Sequence, residues 1–569
     1  MPPEAEDKAL QAHDVAKTIL PVTITSTPKA TADASRYTRV YTLELEKFGI
    51  SNDGTNAEAT SQGINAALQH AKTLQANKIV FPKGTYLIDE NNPILLDHQD
   101  TIVDLGGSTL QVRTNGRPGY AVVQILPGAK NLRLTNGTIR GDREEHDYKA
   151  ARGTHEGGHC IEIVGGDELE IDHLHLTHAT GDGLTASSSG ARNREELLAR
   201  ILHNVTRANL ESGAFSENGE KIDSEEKIRT RTSYPLKEGL KTFELGYLAG
   251  YQGFPWIKGR TYQAYFYDRE QRFLGKKECL QYRKVEVPEG ARFVHFEFNQ
   301  PDVDTEAAHS GAPGDWLVRV NNFTPPTNVH VHHNLFDYNR RLGIGTVGQR
   351  WVIEENRFEN NGGTPPSYGI DLEDGWELMQ DIVIRKNRFR NNKLGDIVIC
   401  AGSELLVEEN EFTNKVVFHG RAYNYTVRKN HFSGGGVHYS TRTGIATISD
   451  NTYENVPYIS ITFDNKKVAD GFVRKPGETI ATPPLLLTNE TVVGVKNIKG
   501  TYLNFAGGKF RDCQFLADEK TYLVRIENAK LEQCTLNVPN KGGKVVLELK
   551  KNQGDPKIKG DGASRIVRK

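Results

Sequence analysis

The segment Glu355-Asn356-Arg357-Phe358 contains the four-residue pattern that decides the fold: a charged or polar residue, Asn, any residue, then an aromatic residue. The pattern occurs six times, as His333-Asn334-Leu335-Phe336, Glu355-Asn356-Arg357-Phe358, Lys386-Asn387-Arg388-Phe389, Glu409-Asn410-Glu411-Phe412, Lys429-Asn430-His431-Phe432 and Asp450-Asn451-Thr452-Tyr453. Most successive copies are about 20 to 23 residues apart, the length of one β-solenoid coil. A repeat this short cannot bury a core alone, so neighbouring copies must stack. We therefore predict a parallel β-helix, in which the Asn side chains form an amide ladder and the aromatic rings form an internal stack.

A series of unrelated Asn-containing hairpins would not keep the Asn and aromatic residues at this regular spacing. The longer gap, between Asn356 and Asn387, is explained by an extra loop at Asp374–Gln380. Asn is suited to the turn because it tolerates the left-handed conformation and bonds to nearby backbone groups.

The composition of the 569-residue chain is typical of a large β protein: 37% of its residues are hydrophobic, and 55 are Gly against two Met. The net charge of −2 argues against a nucleic-acid-binding protein, which normally has a basic face. The five Cys are widely spaced, so we expect reduced, buried thiols. No segment is long and apolar enough to span a membrane, and the N-terminus lacks the pattern of a signal peptide.

The chain divides into five predicted regions. Residues 1–38 form a polar N-terminal arm or linker, and residues 39–190 contain an N-terminal cap and the first coils, with an amphipathic helix over Ala57–Gln75. Residues 191–320 lack the repeat and form an inserted antiparallel β-sandwich. Residues 321–470 form the main coils. Residues 471–569, where the Asn pattern weakens, continue as β coils that could serve in oligomerisation.

The segment Asp53-Gly54-Thr55, the helix after it, and the pattern Phe81-Pro82-x-Gly84-x-Tyr86 resemble the N-terminal cap of the pectate-lyase-like superfamily. The resemblance covers roughly residues 40–190 and 325–470. It implies an all-β, right-handed parallel β-helix whose open end is closed by the helix. It says little about the reaction, because the superfamily includes lyases, hydrolases, epimerases and phage tailspikes.

The insertion has three aromatic clusters, at Tyr247–Trp256, Tyr262–Tyr267 and Phe293–Phe298. It resembles carbohydrate-binding-like modules of phage structural proteins, in which such residues form a binding face. The alternative is a spacer domain whose aromatic residues form an ordinary core.

The main candidate site is the acidic run Tyr368-Gly369-Ile370-Asp371-Leu372-Glu373-Asp374, with Trp376 just after it. Phasing on the Asn pattern places Asp182, Leu342 and Tyr368 on successive coils, and Thr185, Gly345 and Asp371 in the next outward column. Asp371 and Glu373, two residues apart, are expected on one face, with Asp182 as the alternate partner. Coils about 4.8 Å apart bring such carboxylates into the range of about 5 to 9.5 Å that glycoside hydrolysis requires. Alternatively, the acids bind a structural calcium ion or solvate a loop.

This run is also similar to the motif of alginate C5-epimerases. Tyr368, Gly369 and Asp371 match that motif, whereas Leu372 and Glu373 replace its proline and histidine. The loss of the histidine weakens the epimerase interpretation.

Further candidates lie on the polar loops before Asp182 and in the basic coil after the insertion. We expect His155, Glu156 and Asp374 to bind substrate, together with Trp376, and Arg341 to hold an acidic sugar. The spacing of the histidines at 146, 155, 159, 173, 175 and 178 matches no established ligand signature. We therefore expect no catalytic metal and no cofactor.

The resemblance implies a phage tailspike-like depolymerase that cleaves a bacterial surface polysaccharide, a capsule or exopolysaccharide, by glycoside hydrolysis. It further implies a homotrimer that is made in the host cytoplasm and attached to the virion tail or baseplate by the N-terminal arm, with no nucleic-acid partner and no membrane insertion. Two alternatives stay open: a polysaccharide lyase or C5-epimerase acting on a uronate polymer, and a non-catalytic receptor-binding spike.

Overall fold

The computed structural model describes residues 36–187, 189–247, 261–280, 283–302, 316–345, 348–373, 379–420, 422–441, 445–463, 485–539 and 545–568. Almost all of the N-terminal arm expected at residues 1–38 lies outside these ranges. The chain divides into two compact units. The β-helix unit comprises residues 1–186, 327–372 and 379–569, and the insert unit comprises residues 187–326 and 373–378.

The β-helix unit is a parallel β-helix, as the repeat predicts, and it is right-handed, as the resemblance to the superfamily implies. A typical coil contributes three strands, such as Leu342–Gly345, Gly348–Glu354 and Arg357–Glu359. The first strand of each coil joins a 14-stranded sheet, and the other two join a 26-stranded sheet that bends at the Asn turn. We call these the small sheet and the large sheet.

The strands of the small sheet are Ile94–Leu96, Gly119–Ile125, Gly157–Ile163, Asp182–Ala186, Leu342–Gly345, Tyr368–Leu372, Gly395–Ile399, Val416–Phe418, Val437–Thr441, Ile459–Phe463, Ile498–Gly500, Gln514–Leu516, Thr535–Asn537 and Lys557–Lys559. The strands of the large sheet are Val40–Thr42, Lys78–Val80, Thr85–Ile88, Gln99–Val112, Lys130–Arg140, Asp167–Thr177, Thr327–His332, Leu335–Asp337, Gly348–Glu354, Arg357–Glu359, Met379–Arg385, Arg388–Arg390, Ser403–Glu408, Glu411–Phe412, Tyr423–Arg428, His431–Ser433, Ala446–Ser449, Thr452–Glu454, Leu485–Thr488, Thr491–Val493, Tyr502–Ala506, Lys509–Arg511, Leu523–Glu527, Lys530–Glu532, Val545–Lys550 and Ala563–Arg568.

The Asn side chains form the predicted ladder. The backbone N–H and the side-chain Nδ2 of Asn334 both donate to Oδ1 of Asn356, each over 3.0 Å. The same pair of bonds runs from Asn356 to Asn387 and onward to Asn410 and Asn430. Each Nδ2 also donates to a carbonyl of the preceding strand, so these buried amides are satisfied. The energetic cost of burying them is therefore offset.

The left-handed backbone conformation lies one residue earlier than the sequence argument supposed. It is adopted by the residue before each ladder Asn, with φ between 54° and 57°, at His333, Glu355, Lys386, Glu409, Lys429 and Asp450. The Asn itself must direct its amide into the turn to join the ladder. The polar residue before the Asn therefore adopts the left-handed conformation.

The aromatic rings form the predicted internal stack. Phe336 and Phe358 are nearly parallel, with centroids 4.9 Å apart, and the same spacing continues through Phe389. The stack goes on to Phe412, Phe432 and Tyr453. A second polar ladder, which the sequence analysis missed, links Asn339, Asn361 and Asn392 through their side-chain amides and ends at Asp396.

The N-terminal helices are Leu45–Phe48 and Ala57–Thr73. The longer helix buries Ile64, Ala67 and Leu68 against the first coils, as its amphipathic pattern predicts. It covers apolar side chains that an open solenoid end would expose.

The insert unit consists of antiparallel sheets. One contains Ile201–Thr206, Trp316–Asn321, Thr242–Tyr247 and Val285–Glu286; a second contains Leu210–Ser212, Ile228–Thr230, Tyr234–Pro235, Phe293–Phe298, Thr261–Tyr267 and Phe273–Leu280; Ala214–Phe215 pairs with Lys221–Ile222. The unit also has an α-helix at Arg194–Arg200 and a 3-10 turn at Arg207–Asn209.

The aromatic residues of the insert unit mostly form its core. In two of the clusters Tyr262, Phe266, Phe296 and Phe298 are at most 1% exposed, and all four belong to one apolar core. This burial matches the spacer alternative for these rings. The cluster at Tyr247–Trp256 lies almost entirely outside the described residues, so glycan binding by the insert stays a prediction.

The ladder generates the first prediction. Asn387→Ala removes an acceptor for two donors of Asn356 and two donors to Asn410. Because each buried polar group left without a partner costs about 1–3 kcal/mol, we expect the free energy of unfolding to fall by at least about 2 kcal/mol. Thermal unfolding followed by circular dichroism measures the change. Arg388→Ala, at the exposed neighbouring position, is the control and should have little effect; equal stability of the two variants would contradict the ladder's role.

The end of the ladder generates the second prediction. Glu490 occupies the place of the next Asn, where Asn451 Nδ2 donates to its Oε1 over 3.4 Å, and it is 1% exposed. Burial raises the pKa of this carboxyl to about 8. The folded state therefore retains a proton that the unfolded chain releases near pH 4.5. The resulting stabilisation is complete below that pH and is lost as the pH rises towards 8.

Between pH 6.5 and 8 we expect the native chain to lose stability by up to about 1.4 kcal/mol per pH unit more than Glu490→Gln, which cannot ionise. Calorimetric unfolding of both proteins across this range measures the difference. Parallel pH profiles would show that Glu490 does not carry the proton.

Candidate functional site

The candidate site lies on the outer face of the small sheet, in the register that the sequence predicts. Asp182 pairs with Leu342, and Thr185 pairs with Gly345. Gly345 pairs in turn with Asp371 on the next strand. Asp182 and Asp371 are therefore two coils apart.

A column of glycines directs these side chains outward. Gly183, Gly343 and Gly369 lie against the aromatic stack, where an added Cβ would come within 2.6 to 2.9 Å of ring atoms of Phe336, Phe358 and Phe389. The next residue of each strand, such as Ile344 or Ile370, also belongs to the core. The residues that flank these inward pairs consequently project from the opposite face.

Asp182 bonds to groups from two neighbouring coils. It is fully buried, and Nη1 of Arg341 donates to both of its carboxylate oxygens over 3.1 and 3.2 Å. Its backbone N–H donates to Nδ1 of His159, whose ring lies 3.5 Å from the carboxylate. Glu156 lies 3.8 Å from Nε of Arg341. The predicted Asp182, Arg341 and Glu156 are thus brought together, with His159 as a further member.

Gly345 lies between the strands of the two aspartates, and we call its position the notch because Asp182 and Leu342 occupy the space that a side chain would take. A Cβ at this position would lie 3.2 Å from Oδ2 of Asp182 and 3.2 Å from Cδ1 of Leu342, so the Asp182 carboxylate reaches over the intervening coil towards the strand of Asp371. Neighbouring strands are about 4.8 Å apart. The carboxylate of Asp182 is therefore about one coil spacing from that strand, with no side chain of residue 345 between them.

Tyr368 and Asp371 occupy the strand after the notch. Tyr368 is 4% exposed, and Asp371 is 2% exposed. The Tyr368 ring lies over Gly395 of the next strand, where a Cβ would collide with Cε1. Burial, and secondarily the charge of Asp371, raises the pKa of Tyr368 well above its ordinary value. At neutral pH this side chain is a neutral phenol that can donate a hydrogen bond.

The remaining acidic candidates follow the strand. It ends at Leu372, so Glu373 comes after it and belongs to the short segment grouped with the insert unit. Asp374 and Trp376 lie outside the described residues. The expected pairing of Asp371 with Glu373 stays a prediction.

His155 lies in a buried chain of hydrogen bonds. It is 1% exposed, its Nδ1 is 2.8 Å from Nε2 of His146, and its Nε2 is 2.9 Å from the carbonyl of Ala151. The other nitrogen of His146 bonds to Asp142 over 2.9 Å. Both ring nitrogens of His155 therefore have protein partners, and the side chain supports the loop that carries Glu156.

Sequence reasoning placed Gly345 in the outward column but did not foresee its role beside Asp182, and it did not assign His159 to the site. His159 is two residues before Ile161, which pairs with Leu184, so extending the register by one coil would have found it. The role of Gly345 depends on the direction in which Asp182 reaches, and the repeat does not encode that direction.

Comparisons with known proteins agree with the fold. A family model described as "Right handed beta helix region" matches residues 303–452. Two Bacillus subtilis proteins are similar over part of the chain: uncharacterized protein YclG, 30% identical over 169 residues, and the SPbeta prophage-derived uncharacterized protein YorA, 27% identical over 168 residues. Each match covers 27% of this chain and 28% of the relative.

Among solved structures, the tailspike protein of Escherichia coli bacteriophage HK620 in complex with a pentasaccharide aligns with 94% of this chain. The alignment covers 79% of the tailspike, with 9% identity and a TM-score of 0.42. Within the described residues, no helix of this chain has the length and apolar character needed to cross a membrane.

Proposed function

We propose that this protein binds a bacterial surface polysaccharide along the outer face of the small sheet and cleaves it by glycoside hydrolysis. The observation that carries the proposal is the pair of carboxylates on either side of Gly345: Asp182, which reaches over the notch, and Asp371, two coils away. Two such groups, about 5 to 9.5 Å apart, are what hydrolysis of a glycosidic bond requires.

In the proposed mechanism Asp371 acts as the general acid and protonates the glycosidic oxygen. Asp371 is assigned this role because it is the carboxylate on the strand that follows the notch, two coils from Asp182. Asp182 is the second carboxylate, which either activates water or attacks the anomeric carbon. Glu373 is the other candidate for this second role.

Arg341 and Tyr368 would bind and orient the sugar. The Arg341 guanidinium keeps Asp182 in place and adds positive charge beside the notch, which suits an acidic sugar. The Tyr368 phenol can donate a hydrogen bond to a sugar oxygen.

Hydrolysis is favoured over elimination by the state of Tyr368. A lyase or epimerase must abstract a proton from carbon, and a phenol whose pKa is raised by burial is a poor base at neutral pH. The motif also lacks the histidine of the epimerase pattern, because Glu373 stands at that position.

We further propose that the protein is a virion component, made in the host cytoplasm and attached to a phage tail or baseplate through the N-terminal arm. Support comes from the partial similarity to YorA, which is described as prophage-derived. Because that match covers 28% of YorA, the rest of the assembly is inferred only from the resemblance to tailspikes.

The catalytic proposal predicts that Asp371→Asn and Asp182→Asn each lower the rate of polymer cleavage by at least about a hundredfold, the usual scale for a lost acid or base. A panel of purified capsules and exopolysaccharides is digested, and reducing ends and the absorbance of unsaturated uronate are followed in parallel. Release of reducing ends without that absorbance is the expected result. Absorbance that rises with cleavage would instead establish elimination.

The controls separate catalysis from folding. Glu411→Gln changes an exposed acid on the large sheet and should leave the rate unchanged. Gly345→Val would place its side chain against Asp182 and Leu342, so it should displace the Asp182 carboxylate and lower the rate of cleavage. Full activity in both aspartate variants would place the site elsewhere, and polymer binding without cleavage by the native chain would favour a non-catalytic spike.

The proposed virion role predicts a homotrimer, since three side-by-side solenoids form a rigid, closed assembly. Multi-angle light scattering should give about three times the 63.4 kDa mass of the chain. A constant monomer mass across a concentration series would contradict the trimer.

A further inference from the structure

A cluster of histidines and glutamates on the large sheet lies apart from the proposed catalytic notch. His330 and His332 are two residues apart on the strand Thr327–His332, so both rings project from one face. Their ring centroids are only 4.0 Å apart. Glu170, on the neighbouring strand Asp167–Thr177, pairs in register with His330. On the other side, Glu354 pairs in register with His332.

We propose that Glu170, His330 and His332 form a binding site for a divalent transition-metal ion, with Zn²⁺ as the best match. One ligand atom from each of the three residues lies within 4.8 Å of the other two. Two imidazoles and one carboxylate are a common zinc ligand set. Small side-chain rotations would bring the atoms to zinc-ligand distances, and a fourth position stays available for water or for Glu354.

The carboxylates next to the two rings suit this geometry. Glu170 Oε1 is 2.9 Å from Nε2 of His332, and Glu354 Oε1 is 2.8 Å from Nε2 of His330. Arg385 bonds to the second oxygen of Glu354 over 2.6 Å and orients it. Arg133 binds mainly Asp172 and is 3.8 Å from Glu170. The two carboxylates could balance the charge of a dication.

The hydrogen bonds behind His332 give independent support. Nδ1 of His332 is 2.8 Å from Nδ1 of His333, and Nε2 of His333 is 2.8 Å from Glu355. Glu170 and Glu355 thus stand at the two ends of a chain of two imidazoles. Three hydrogen-bonded links join these four side chains.

A metal ion between Glu170 and His332 is compatible with this chain of hydrogen bonds. The metal takes the place of one N–H donor, so Nδ1–H of His332 donates to His333 and Nε2–H of His333 donates to Glu355. Every link is then satisfied with both rings neutral. A metal-bound histidine whose other nitrogen donates to a further acceptor is the usual arrangement around protein zinc.

The position of the ligands indicates what the metal would do. Glu170 precedes the insertion and His330 and His332 follow it, and His332 is 162 positions after Glu170 in the sequence. The two strands are direct neighbours in the large sheet. A metal shared between them would fasten the coils where the chain leaves and rejoins the β-helix, and closing such a long loop by a cross-link stabilises the folded state.

The test uses the full-length protein, stripped with a chelator, desalted and titrated with ZnCl₂ in a calorimeter. We expect one Zn²⁺ per chain and a higher thermal unfolding temperature once it is bound. In the double variant His330→Gln/His332→Gln, binding and the temperature increase should both be lost. The matched control is His431→Gln, which removes a strand histidine with one carboxylate neighbour, Glu454 at 3.4 Å.

Co²⁺ provides a readout that does not depend on stability. The native chain and the His431→Gln control should give the visible absorption spectrum of a four- or five-coordinate nitrogen–oxygen site, and the double variant should not. Absence of stoichiometric Zn²⁺ binding by the native chain would overturn the proposal. So would equal binding by the double variant.

Discussion

The stacking of aromatic rings inside the turns is the interaction on which the rest of the β-helix depends. The rings are about 5 Å apart from Phe336 to Tyr453, which matches the spacing of hydrogen-bonded strands in successive coils. They leave no room for side chains on the small-sheet residues that face them, and those positions are glycine at 183, 343 and 369. The glycine column in turn sets which residues project outward, so the core determines where Asp182, Tyr368 and Asp371 lie. The Asn ladder beside the stack satisfies the amides that a tight turn buries.

Most of the β-helix could be predicted from its sequence because stacking imposes a period. The Asn and aromatic positions and the register of Asp182, Gly345 and Asp371 follow from that period. The helix that begins at Ala57 follows from its own amphipathic pattern. The two features that sequence reasoning misplaced or missed have local causes. The left-handed residue precedes the Asn because the amide must face the turn, and Asp396 ends the second ladder by accepting backbone N–H groups of Thr413 and Asn414.

The candidate site could be predicted only in part, since the period fixes where backbones lie and not where side chains reach. His155 is of a residue type that often binds substrate, and its sequence position favoured that role. In the structure, its ring bonds to His146 and to the carbonyl of Ala151, so it stabilises a loop. His330 and Glu170 pair across neighbouring strands but lie on opposite sides of a long insertion in the sequence. Their sequence spacing therefore does not predict the pairing. The role of the aromatic clusters of the insert was ambiguous for another reason. Alternation along an antiparallel strand shows which rings share a face of the sheet, but it does not show whether that face is exposed to solvent.

The measurement that tests the catalytic account most directly is a crystal structure of the Asp371→Asn variant with a bound oligosaccharide from the polymer that the native protein degrades. The account predicts that the chain of sugars crosses the small sheet, with one glycosidic oxygen within hydrogen-bonding distance of residue 371 and the adjoining ring above Gly345, between that residue and Asp182. An oligosaccharide bound elsewhere on the molecule, with the Gly345 notch empty, would contradict it.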